Sequence, residues 1–351
     1  MVRFSEILGS GRKRAEKQPS QKKEVRTGGK LWMSDSQILA TKGTDTSFNL
    51  PPLDHDADKT GKLYGQLFEK ATEVRDRVKK DEGITPSPIL SLLHSIIEED
   101  TVDELYDYVL TVPGGSGWRW HSIAVTLGSL KLGKGLGFDT KKLLKLGLAA
   151  FLENVGMYKI PEHVLDKKGI LSPDEVAAIR EHPDVSAQIL GRMGRAYDWL
   201  AKVAAQIHER SDGSGYPMGL KGEEISPLAS VIGLVDTYMA MIKNRPYRNK
   251  YMQTEAVKSL IELGKGKFPS RVVKEFLNQI SLFPVNTYVR LNNKSIGRVI
   301  STNKNQPLRP KIEILYDGLG REMEKPKTIQ LSDSPLLHIV DTINEDDLPH
   351  E

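Results

Sequence analysis

Residues 208–217 read His208-Glu209-Arg210-Ser211-Asp212-Gly213-Ser214-Gly215-Tyr216-Pro217, and the loop runs on through Gly219-Leu220-Lys221-Gly222 toward Arg245 and Arg248. A His-Glu pair leading into such a loop is unusual chemistry for a structural turn. Gly213 and Gly215 let backbone approach a bound group closely. Tyr216 is suited to stacking on a base or donating to a phosphate. Arg245 and Arg248 offer planar donor forks that match phosphate oxygens. The alternative is a rigid cap held by Arg210 and Asp212.

Outward from this loop, residues 118–280 read as nearly all helix, with apolar faces such as Leu143, Leu144, Leu148, Phe151 and Leu152. Ser172 followed by Glu175 is a capping box that starts a helix near Pro173. Upstream, Leu63, Leu67, Ala71, Val74 and Val78 recur at helical spacing, and two more helices are expected over Ile89–Glu99 and Val102–Leu110. Thr101 with Glu104 is predicted to cap the latter. After Pro284 the texture becomes β-type: Tyr288–Leu291, Gly297–Ile300, Lys311–Tyr316, Thr328–Leu331 and Leu336–Val340, separated by turn residues. The expected organisation is a disordered basic tail and linker over 1–60, an N-terminal helical segment over 61–115, a helical domain over 116–282, and a small β-barrel-like domain over 283–345.

Composition bounds the chemistry. The 351 residues contain no cysteine, so disulfides and thiolate ligands are excluded and any metal falls to His, Asp and Glu. No apolar run approaches the roughly 18 residues that cross a bilayer. No signal-peptide core follows the basic start, and a cytoplasmic location is expected. Of the net charge of +4, residues 1–30 carry +6 and the remainder −2. The basicity therefore belongs to the tail, read as a solvated extension or as an attachment to anionic lipid or nucleic acid.

Among eight histidines, His55, His163, His338 and His350 are expected at the surface, and His94 in partly buried helix packing. His121, His182 and His208 lie far apart on or beside helices of the central domain. Sites between facing helices of a bundle draw on such residues. His55-Asp56 is set aside, because it lies in a polar segment before His121.

The ordered motifs over residues 118–252 resemble the HD-GYP family, bacterial phosphodiesterases that open cyclic di-GMP. The resemblance implies an all-α HD-type bundle and two or three metal ions, held by an initial helix His, an HD doublet, a His-Pro, a His-His-Glu and a late Asp. Here the initial His is His121. The doublet falls on Glu153-Asn154 within LENVGMYKIPEHVLDKKGILSPDE, the His-Pro is His182-Pro183, the triplet is Ile207-His208-Glu209, and the late Asp is Asp236 in VDTYMAM. A lysine often found four residues after the doublet's His is Met157, and a second acid three residues after the late Asp is Met239.

These departures bear on activity. Two-metal hydrolysis needs a bridging carboxylate, and the weak ligand Asn154 is neutral. Ile207 removes a ligand. Glu153 can replace one, because a carboxylate binds Fe, Mn or Mg, or it can make a hydrogen bond or ion pair in a pocket without metal. His121, Glu153 and Asp236 would hold one ion, with His182 and His208 as a weaker half-site. Three readings follow: a degenerate protein that binds cyclic di-GMP or a signalling partner with little or no hydrolysis, an active phosphodiesterase using Glu153, or a pure interaction module. The resemblance also implies a GGDEF-domain protein as partner for the GYP loop, and a homodimer is a further expectation.

Overall fold

The computed structural model describes residues 59–112, 117–165, 167, 171–242, 253–280, 283, 285–303, 306, 308–343 and 347–349. The expected basic tail lies outside the described residues up to position 58. Helix α1 (Lys59–Lys79) buries Tyr64, Leu67, Phe68, Ala71, Val74 and Val78 on one face. Helix α2 (Pro86–Glu98) buries Ile89, Leu93 and Ile96. His94 lies on the opposite face and is exposed, not partly buried as expected. Helix α3 (Val102–Thr111) begins after Thr101, but the expected cap does not form. The Thr101 backbone is not extended there, and its hydroxyl donates back to the Ile96 carbonyl at 3.3 Å.

Two helices are buried around nearly their whole circumference. They are α4 (Gly117–Gly135) and α10 (Pro227–Ile242). A helix apolar on all sides belongs at the centre of a bundle. The two approach closely because Gly128 of α4 has no side chain: a Cβ there would lie 2.8 Å from Val235 Cγ1 and 3.1 Å from Met239 Cε. Helix α5 (Thr140–Leu152) is capped by Asp139, which accepts from the Lys142 N–H at 2.7 Å. Its C-terminal residues run directly into Glu153, and a 3-10 turn follows over Val155–Lys159.

The short α6 (Glu162–Leu165) precedes α7 (Pro173–Arg180), where the predicted Ser172–Glu175 capping box is present. Helix α8 (His182–Gly191) packs on the 3-10 turn at Gly156, whose N–H donates to Ser186 Oγ at 2.9 Å. Helices α9 (Asp198–Ala204), α11 (Gln253–Gly264) and α12 (Ser270–Gln279) complete the helical part among the described residues. No described helix is long and apolar enough to cross a membrane.

The C-terminal region has its own core, built from Phe283, Val289, Leu291, Val299, Ile312, Ile314 and Leu331. Strands β1 (Tyr288–Leu291), β2 (Ile296–Ser301), β3 (Lys311–Tyr316), β4 (Glu322–Gln330) and β5 (Ile339–Ile343) form an antiparallel sheet in the order β4-β3-β2-β1-β5. The sheet is open rather than the expected barrel. Its β4 edge carries Lys325, Pro326 and Lys327, and Pro326 has no N–H for a further ladder. The last strand starts at Ile339, later than predicted, and Leu336 is 86% exposed.

Gly156 supplies a fold test. A Cβ at this position would lie 2.3 Å from the His182 carbonyl oxygen and 2.8 Å from Ser186 N, both backbone atoms of α8. Gly156→Ala is expected to destabilise the protein by about 1–3 kcal/mol in urea unfolding. Gly191→Ala, with nothing within 4 Å, is expected to change stability far less.

Candidate metal centre

Three buried groups converge where α4, the end of α5 and α10 meet. His121, Glu153 and Asp236 each offer a ligand atom, and these atoms lie within 4.8 Å of one another. His121 Nε2 and Asp236 Oδ1 are 2.7 Å apart. Trp118 packs edge-on to His121 at 5.7 Å between ring centres. Glu153 is 1% exposed. Its Oε1 accepts from the Asn154 amide at 3.1 Å, while Oε2 has no hydrogen-bond partner. An orphaned carboxylate oxygen in a dry interior is costly unless a cation or proton meets it. One imidazole and two carboxylates form a donor set suited to a divalent ion such as Fe, Mn or Mg. These residues fit one such ion.

The electrostatics agree with the geometry. Burial pushes the Glu153 carboxyl well above the ordinary carboxylate range, and the negative charge of Asp236 pushes it further. Burial would raise Asp236 too, but the His121 hydrogen bond and charge, with Arg210 nearby, hold it at about 2. Arg210 is itself buried. Its Nη1 donates to the Ile207 and Glu209 carbonyls at 3.0 and 2.9 Å, its Nη2 reaches Thr237 Oγ1 at 3.4 Å, and its guanidinium lies 4.9 Å from the Phe268 ring centre.

His182 and His208 stand as a second pair, outside the three-residue cluster. His182 Nδ1 contacts the Ile179 carbonyl at 2.7 Å, so Nδ1 carries the proton and Nε2 the lone pair. That Nε2 lies 3.0 Å from His208 Nε2. Without an ion, His208 is the donor across this contact. The spacing is also close to that of two nitrogens at right angles on one ion, given metal–nitrogen bonds of roughly 2.1 Å. Burial lowers His182 to about 4 and His208 well below its ordinary range, so both are neutral at physiological pH.

The glycine-rich loop is pinned by Glu209, whose role the sequence reading did not single out. Its two carboxylate oxygens accept from Met218 N at 2.6 Å and Leu220 N at 2.9 Å. Gly213 has φ +78°, a conformation that favours glycine. Gly215 folds back on the preceding chain, where a Cβ would lie 2.4 Å from Arg210 N and 2.5 Å from the His208 carbonyl oxygen. Tyr216 is turned inward at 9% exposure, packed with Met157, Ile160, Val164 and Ile179. Its ring is parallel to His208 (interplanar angle 2°) with centres 4.9 Å apart. Arg245 and Arg248 lie outside the described residues. Asn154 is spent on Glu153, and Ile207 is buried with its carbonyl packed 2.3 Å from where a Gly233 Cβ would lie.

This fold and site define an HD domain. Residues 118–272 match the HD domain family and residues 288–351 match a KOW domain associated with HD domain. Residues 118–272 thus form an HD domain, and the relatives that the chain resembles are named cyclic di-GMP phosphodiesterases. It is similar to the cyclic di-GMP phosphodiesterase PA4108 of Pseudomonas aeruginosa, with 29% identity over 73% of this chain and 58% of that protein. The cyclic di-GMP phosphodiesterase PdeB of Borreliella burgdorferi is 27% identical over 61% of this chain and 56% of its own length. The chain thus spans a little over half the length of these relatives. A solved structure of Bd1817, an HDG"Y"P protein from Bdellovibrio bacteriovorus, shares the fold at TM-score 0.51 and 21% identity, covering 64% of this chain and 74% of that one.

Two stability measurements follow. In metal-free protein at pH 8, Glu153→Gln is expected to raise the melting temperature, because it removes a carboxylate that burial disfavours. The same variant is expected to lose the stabilisation that Mn(II) gives wild type. His182 titrates at 6.5 unfolded and about 4 folded. Its contribution is present above pH 6.5 and lost as pH falls toward 4. Relative to His182→Gln, wild-type protein should lose roughly 3 kcal/mol across that window in denaturant unfolding.

Proposed function

We propose that this chain is a metal-binding HD-GYP protein that recognises cyclic di-GMP or a related cyclic dinucleotide, with hydrolysis weak or absent. One observation carries the reading. His121, Glu153 and Asp236 are assembled for one ion, while Asn154, at the position where the family resemblance places a bridging acid, donates its amide to Glu153. A neutral amide that is already engaged is a poor bridge between two divalent ions. An ion bound by the three residues would supply positive charge to polarise a phosphodiester.

The protein's own residues do the rest. Arg210 and Thr237 hold the neighbourhood of Asp236 in place. His182 and His208, kept neutral by burial, present nitrogen donors or acceptors at the same site. Gly213 and Gly215 fold the loop tightly, and Glu209 locks it. Arg245 and Arg248 serve as phosphate contacts. The relatives named cyclic di-GMP phosphodiesterases support the choice of ligand.

A second reading has its own support. The orphaned Glu153 Oε2 is poised as a ligand oxygen, which favours an active phosphodiesterase with Glu153 in place of a histidine.

The test is anaerobic incubation of the purified protein with Mn(II) or Fe(II) and cyclic di-GMP, with calorimetric binding measured alongside. Binding with little or no linear dinucleotide or GMP formed is the expected result. Clear turnover that disappears in Glu153→Ala would establish the second reading. Absence of any binding in the presence of either metal would remove the dinucleotide from the account.

A further inference from the structure

His182 and His208 are held by different means. The His182 ring is fixed through its second nitrogen, which donates to the Ile179 carbonyl at 2.7 Å. That is the ordinary way to orient a histidine that offers its other nitrogen to an ion. Among the described residues no hydrogen bond reaches His208 Nδ1. What meets this imidazole instead is the Tyr216 ring, parallel to it within 2° at 4.9 Å between centres. The Tyr216 N–H also donates to the His208 carbonyl at 3.2 Å. One residue therefore touches both the backbone and the ring of His208.

Tyr216 is itself firmly seated. Its neighbours Pro217 and Met218 are exposed, while its own ring points inward among Met157, Ile160, Val164 and Ile179. Just beyond it, Glu209 pins the loop through Met218 N and Leu220 N. Two consequences follow. The ring face that lies on His208 is not open to a nucleotide base, so the stacking expected from the sequence is used inside the protein. The tyrosine also sets the plane of the imidazole, and His208 Nε2 is thereby kept 3.0 Å from His182 Nε2. An imidazole free to turn about its Cβ–Cγ bond would no longer aim that nitrogen at its partner.

We infer that Tyr216 is a positioning residue: its ring sets the plane of His208, so that His182 and His208 present their Nε2 atoms to one point where a divalent ion can be met. The tyrosine acts through His208 and needs its ring, not its hydroxyl, to do so. The inference rests on the reading of this site as one for metal. It gives the buried tyrosine of the glycine-rich loop a use other than contact with a nucleotide.

The test compares full-length wild type with Tyr216→Phe, Tyr216→Leu and Val164→Ala. Phe keeps the flat ring, and Leu fills part of the space without it. Val164→Ala loosens the same apolar cluster and leaves the ring in place. Two readouts accompany the melting temperature: NMR signals of the imidazole nitrogens in metal-free protein at pH 8, and Co(II) affinity followed by the visible absorption of the bound ion. In wild type and Tyr216→Phe, His208 is expected as a single tautomer with its proton on Nε2. In Tyr216→Leu its two nitrogens are expected to average. Co(II) affinity should fall about 10–100-fold in Tyr216→Leu, the loss typical when a metal-binding histidine loses its orienting partner, and stay near wild type in Tyr216→Phe. Val164→Ala should lower the melting temperature and change neither readout.

Wild-type nitrogen signals and wild-type Co(II) affinity in Tyr216→Leu would overturn the inference. So would an equal loss of both in Val164→Ala, because the tyrosine would then only fill the cluster. Wild-type protein that takes up no Co(II) would remove the metal reading of the site, and the His208 signals would then decide the positioning role alone. Averaging confined to Tyr216→Leu would keep that role, and unchanged signals would overturn it.

Discussion

The contact between His121 Nε2 and Asp236 Oδ1, 2.7 Å long, joins the two most buried helices of the protein at their functional end. Everything around it follows from placing ionisable groups in a dry interior. Such groups are tolerated only when each meets a partner of opposite charge or a hydrogen bond. Asp236 has His121 beside it and Arg210 nearby, which is why it is held at about 2 despite burial. Glu153 has the Asn154 amide on one oxygen and no hydrogen-bond partner on the other, and burial together with the charge of Asp236 pushes it the opposite way. One carboxyl of the pair is satisfied and its neighbour is not. A divalent ion would resolve that imbalance with the donors already in place.

The glycine-rich loop is the second half of the same construction. Its conformation is determined from within: Glu209 collects two N–H groups from the far side of the loop, and Gly215 lets the chain double back on Arg210. The consequence is that Tyr216 reaches His208 and holds its ring plane. A ring packed face to face on an imidazole restricts how that imidazole can turn. The loop therefore supports the site as well as bordering it.

Much of this was legible in the sequence, for identifiable reasons. The helical spacing from Leu63 to Val78, the Ser172–Glu175 box and the short strands Tyr288–Leu291 and Lys311–Tyr316 are local patterns, and local chemistry decides them. The three-residue cluster was reachable because motif order carries information that spacing alone lacks. Other features depend on tertiary contacts. Thr101 carries the right residue type for a cap, but its hydroxyl found the Ile96 carbonyl instead. Strand β4 is longer than predicted because Glu322, Lys325 and Lys327 sit on an exposed edge, where no apolar alternation marks a strand. Barrel closure could not be read from strand count, since it depends on whether the two edge strands meet. The role of Glu209 is written in contacts across the loop, nine and eleven residues along the chain.

Glu153, with His121 and Asp236, is proposed to hold a metal ion. Anomalous diffraction at the manganese edge from crystals grown with Mn(II) addresses it most directly. A strong peak among His121, Glu153 and Asp236 is expected, with Glu153 Oε2 among the ligands. A manganese site that leaves Glu153 uncoordinated, or no peak among these three residues, would contradict it.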